Sequence, residues 1–155
     1  MKTFRFSGIH AGWVTARVGS KSDSKSFVGS YVPPDAIRDL ADAVASLGAI
    51  STATCRWFQE PKEIEWRFTR SEESVRVTVL SCPGRNGPAT QQIFEGVFGW
   101  PRFGVDVLDA LLELQSTFGL PGYEREWRHP FPAEACQKLA NTVGRSRQSG
   151  RAHNR

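Results

Sequence analysis

Between Ile50 and Trp100 lie four short segments in which apolar and polar residues alternate, and no other feature limits the fold so sharply. Ala53, Cys55 and Trp57 oppose Thr54 and Arg56. Ile64, Trp66 and Phe68 oppose Glu65 and Arg67, and Val75, Val77 and Val79 oppose Arg76 and Thr78. Successive side chains of a strand point to opposite faces, so this pattern describes a sheet with one buried and one wet face. The fourth segment, Gln91 to Trp100, is less regular: Ile93 and Val97 share a face with Glu95, while Phe94 and Phe98 take the other. The links are short and carry turn residues: Glu60-Pro61-Lys62, Arg70 to Glu73, and Pro83 to Pro88 with its Asn86-Gly87. Links of that length join antiparallel neighbours, so the four strands form a meander.

The flanks complete the plan. Trp13 to Val18 and Ser26 to Val32 read as strands around a serine- and lysine-rich loop, and Lys2 to Ile9 adds a further strand. Pro33-Pro34-Asp35 opens a helix whose stripe is Ile37, Leu40, Ala41, Val44 and Leu47, stopped at Gly48. A second helix spans about Phe103 to Phe118 and ends at Gly119, Pro121 and Gly122. A third runs from Pro132 to about Val143, with Gly144 closing the fold. Each helix has a single apolar stripe to bury. The expected fold class is therefore α+β, an antiparallel meander sheet of about six strands with two to three helices packed on one face.

A chain of 155 residues suits one domain and buries roughly 68–70% of the surface that its unfolded form exposes. We place a single α+β domain at residues 1–144 and a basic, disordered tail at 145–155. The tail holds Arg145, Arg147, Arg151 and Arg155 and no acid. Taking these four from the twenty lysines and arginines leaves sixteen against sixteen acids, so the folded part is neutral and the net charge of +4 belongs to the tail. An arginine segment can grip nucleic acid through its phosphates; the bland reading is a solubilising end.

Cys55, Cys82 and Cys136 lack the spacing of a metal site and are odd in number, which fits core residues in a reducing cytosol better than disulfides. No apolar run reaches the roughly 20 residues that span a bilayer, and the alternating N-terminus does not resemble a signal peptide. The sequence therefore predicts a cytoplasmic protein that does not engage membranes.

The wet face collects the candidate partner-binding residues Arg56, Glu65, Arg67, Arg76, Thr78 and Glu95, with Thr54 beside them. Charges of both signs on neighbouring strands usually form solvated pairs. The functional alternative is a flat polar docking face whose arginines grip a partner's carboxylates or phosphates. Trp57 and Trp66 fall on apolar faces and read as core, whereas Trp100 and Trp127, at element ends, are open to an interfacial role. No catalytic, cofactor or metal motif is found. Cys136 could meet His129, but packs inward more plausibly, and Glu60, Glu63 and Glu65 read as a solvated strand edge rather than an acid–base pair. The Pro83–Pro88 loop lacks the lysine and helix of a phosphate loop and reads as a turn.

Trp57-Phe58-Gln59-Glu60-Pro61, Glu65-Trp66-Arg67-Phe68, Val75-Arg76-Val77, Gly122-Tyr123-Glu124-Arg125-Glu126-Trp127 and Pro130-Phe131-Pro132 resemble a group of small uncharacterised bacterial proteins. These are similar in size to the immunity proteins that accompany secreted polymorphic toxins. The resemblance implies a non-catalytic protein partner, a cognate toxin or effector, and no cofactor. The neutral core departs from the acidic surface of an inhibitor that mimics nucleic acid. The alternative is a nucleic-acid-associated accessory protein using the arginine tail.

Overall fold

A computed structural model describes residues 2–153, with side chains described as far as Ser146. Seven strands and three helices follow in the order β1 (Phe4–His10), β2 (Trp13–Val18), β3 (Lys25–Ser30), α1 (Ala36–Ser46), β4 (Thr52–Phe58), β5 (Glu63–Arg70), β6 (Ser74–Cys82), β7 (Gln91–Gly99), α2 (Arg102–Trp127) and α3 (Ala133–His153). The class is α+β, but the single six-stranded meander is corrected. The strands form two antiparallel sheets, one ordered β1-β2-β3 and the other β4-β5-β6-β7.

Aromatic volume explains the split. The inner face of the second sheet carries Trp57, Trp66, Phe68, Phe94 and Phe98, and that of the first carries Phe4, Phe6 and Phe27. These faces meet. Phe27 lies edge-on to Trp66 and Phe94, at 5.5 and 6.3 Å between ring centres, and Phe4 lies edge-on to Trp66 at 6.2 Å. One continuous sheet would leave both aromatic surfaces to the helices alone; stacking buries each against the other. β3 crosses so close that a Cβ on Gly29 would stand 2.7 Å from the Trp57 ring.

Helices fill what the sheets leave. Asp35 caps α1, its Oδ1 accepting from the Arg38 amide at 3.1 Å. Asp106 on α2 is buried and holds the start of β1, accepting from the Thr3 amide at 2.8 Å and the Thr3 hydroxyl at 2.7 Å. The first helical stretch of α2 does end at Gly119, whose φ of +70° breaks the helix. Beyond it the aromatic stretch Tyr123–Trp127 is helical, with Pro121 in its first turn.

Gly144 does not stop α3, which runs on to His153. One glycine costs a helix only about 1 kcal/mol relative to alanine, and the arginine, serine and glutamine residues behind it are compatible with a helix. The segment expected as a disordered tail therefore continues the helical backbone. Its arginine side chains from position 147 onward, and with them the nucleic-acid expectation placed there, lie outside the described residues.

Candidate functional site

Register arranges the outer face of the second sheet in rows. Thr52, Thr69, Arg76 and Val97 make one; Thr54, Arg67, Thr78 and Glu95 make the next; Arg56, Glu65, Leu80 and Gln92 make the third. All six expected partner-binding residues thus share one face. They do not share one environment.

Glu65 is only 9% exposed, so the expected solvated strand edge is corrected. Its two oxygens are divided between neighbours: Oε1 accepts from Arg56 Nε at 3.2 Å and Oε2 from Arg67 Nε. The β6–β7 connection folds over this end of the sheet. Gly87 gives its carbonyl to Arg56 at 2.6 Å, the Asn86 amide donates to the buried Glu63 carboxylate, and the Arg85 guanidinium sits 4.6 Å from the centre of the Phe58 ring. The loop is the expected turn, Gly87 N–H donating to the Gly84 carbonyl at 3.0 Å, and it also covers this end of the sheet, its Asn86 amide supplying the buried Glu63 with a donor that water cannot. Arg56 and Glu65 therefore belong to structure.

The other end is open. Arg76 Nη1 pairs with Glu95 Oε1, and Gln92 Nε2 donates to Glu95 Oε2 at 3.2 Å. These donors hold the Glu95 carboxyl below its usual range, the Arg76 hydrogen bond contributing most. The Arg76 side chain remains 55% exposed and Arg67 49%. At the β7 end of the first row, beside Arg76 and next to Glu95 along the strand, stands Val97, 56% exposed, which completes the patch. Its place beside Glu95 was legible from alternation in β7, but its neighbour Arg76 was not, because that contact needs the cross-strand register.

Trp100 and Trp127 are buried rather than interfacial: Trp127 Nε1 donates to Asp35 Oδ1 at 2.9 Å and Trp100 Nε1 to the Ser146 hydroxyl at 3.1 Å. His129 Nε2 lies 2.6 Å from the Tyr31 carbonyl oxygen, and burial pushes the Cys136 thiol up to about 11. A thiol held protonated is a poor nucleophile, so these two do not make an activated pair. All three cysteines are buried and free. Cys55 lines a shallow cleft with Asp39, Asp42, Ser46 and Ile50, where burial raises both the Asp39 carboxyl and the Cys55 thiol. Among the described residues, no group of three or more His, Cys, Asp or Glu side chains could hold a metal ion, and no helix is long and apolar enough to cross a membrane.

Comparison with protein families, with curated proteins and with solved structures finds no match for this chain.

Proposed function

We propose that this chain is a non-catalytic protein-binding module, a bacterial immunity or inhibitor protein that neutralises a cognate toxin or effector by occluding it. Its docking surface is the open half of the outer sheet face: Arg67, Arg76, Thr78, Glu95 and Val97. One observation carries the reading. Arg67 and Arg76 each commit a single nitrogen to a carboxylate of the same face while about half of each side chain stays in solvent. Each guanidinium has further donors in a planar fork that suits a partner's carboxylate, and Val97 supplies an apolar contact beside Arg76 on β7.

The test is capture by tagged protein from the native host at low and high salt, with wild type, Arg76→Glu and Val97→Asp side by side. A single stoichiometric protein that survives high salt and is lost in both variants supports the proposal. The same protein retained by both variants removes this face from it. Arg67 is better replaced by alanine than reversed, because a carboxylate there would confront the buried Glu65.

A further inference from the structure

The first sheet also has an outer face, directed away from the second, and its charge is of one sign. The β1–β2 hairpin turns through Ala11 and Gly12, both at positive φ, and a bulge between Phe6 and Gly8 then shifts the register by one residue, so that Arg5 lies directly opposite Arg17. Both side chains are exposed. Like charges directly opposed across two strands destabilise a sheet. Arg17 Nε donates to the Ser24 hydroxyl at 2.8 Å, and among the described residues neither arginine has a carboxylate within ion-pair distance.

The rest of the face suits the same ligand. Ser26 continues the arginine row on β3, Thr15 and Val28 form the next row, and His10 and Trp13 the last. No strand residue on this face is acidic. Asp23 lies in the adjoining loop beside Lys21, while Glu126 and Glu60 touch the far end at His10 and Ser30. Trp13 is 38% exposed, whereas Trp57, Trp66, Trp100 and Trp127 are buried. Four residue steps along β2 lead from Trp13 to Arg17, about 13 Å at strand rise. Two guanidiniums without a carboxylate partner at one end and an exposed indole at the other match a strand of phosphates with unstacked bases.

We propose that the outer face of the β1–β3 sheet binds single-stranded nucleic acid, with Arg5 and Arg17 on the phosphates and Trp13 stacking a base. This is independent of the protein-binding face and of the arginine segment of α3. The experiment is fluorescence anisotropy of the full chain with a labelled oligodeoxythymidine of about twelve nucleotides. Two phosphate contacts predict an affinity that falls about sevenfold between about 50 and 200 mM salt. Arg5→Ser with Arg17→Ser should weaken binding about tenfold and flatten that salt dependence, with a melting temperature equal to or above that of wild type. Trp13→Ala should weaken binding about tenfold without changing the salt slope. Serine at Arg145, Arg147, Arg151 and Arg155 should leave the effect of the Arg5 and Arg17 changes intact. Binding that vanishes with the four C-terminal arginine changes but survives the sheet changes overturns the proposal. So does poly-glutamate of equal length competing as well as the oligonucleotide, or no binding at low salt.

Discussion

Trp127 Nε1 donates to the same oxygen of Asp35, Oδ1, that caps the first turn of α1, at 2.9 Å and across 92 positions of the chain. One carboxylate therefore starts a helix and fixes the end of another. Asp35→Ala removes a cap worth about 0.5–2 kcal/mol. It also orphans a buried indole N–H at about 1–3 kcal/mol. We expect a loss of about 2–4 kcal/mol in urea unfolding, and less for Asp35→Asn, whose amide oxygen can still accept. Equal losses in the two variants would show that charge, rather than hydrogen-bond acceptance, is what Asp35 supplies.

Gly29 has no side chain because the Trp57 ring occupies that space, its nearest carbon 2.7 Å from where a Cβ would lie. Trp57 cannot swing aside, since its Nε1 is tied to the Ala36 carbonyl at 2.9 Å in a buried site. Gly29→Ala should force the two sheets apart and cost about 1–3 kcal/mol, as overpacking does. Chemical unfolding followed by near-ultraviolet dichroism measures both the loss and the disturbed tryptophan environment. A variant as stable as wild type would mean that the sheets slide freely.

Strand identity was legible in Val75, Val77 and Val79, and in Trp57 and Trp66, because alternation is a local signal that packing then reinforced. The division into two sheets was not, since it turns on Phe27 meeting Trp66 across 39 positions, and alternation says only which residues turn inward. The candidate face was half legible for the same reason. Period two places Glu65 and Arg76 on one side of the sheet but is silent about the Gly84–Gly87 turn folding back over Glu63 and Arg56. Gly144 misled because a glycine ends a helix only where the backbone turns to positive φ, as at Gly119, and Gly144 stays helical.

Glu65 holds Arg56 and Arg67 at once, and it is almost shielded from water. Hydrogen bonds to charged groups contribute about 1.5–3 kcal/mol each, and removing the shared acceptor leaves the half-buried Arg56 with the Gly87 carbonyl alone. Glu65→Ala should therefore destabilise by about 2–4 kcal/mol, whereas Arg76→Ala, which breaks a solvent-exposed pair with Glu95, should cost far less. Thermal unfolding of the two single variants ranks them. Equal costs would contradict the division of this face into a covered structural half and an open half.

Alkaline pH should loosen the fold, and Cys136 is where this is read. Burial raises its thiol from the ordinary 9.0 to about 11 in the native state, and burial also raises Cys55 and Tyr123. Between about 9 and 11 the unfolded chain gives up the Cys136 proton while the folded chain keeps it. The native state then binds more protons than the unfolded state, so stability falls as pH rises. This contribution is complete below about 9 and is lost as pH climbs through about 11. Urea midpoints taken at intervals from pH 8 to 11 should decline, and Cys136→Ala should decline less steeply. A thiol reagent at pH 8 should find no fast-reacting cysteine until denaturant is added, because all three are buried and protonated. Rapid labelling of the native protein, or identical pH profiles for wild type and Cys136→Ala, would place that thiol in contact with solvent rather than in the core.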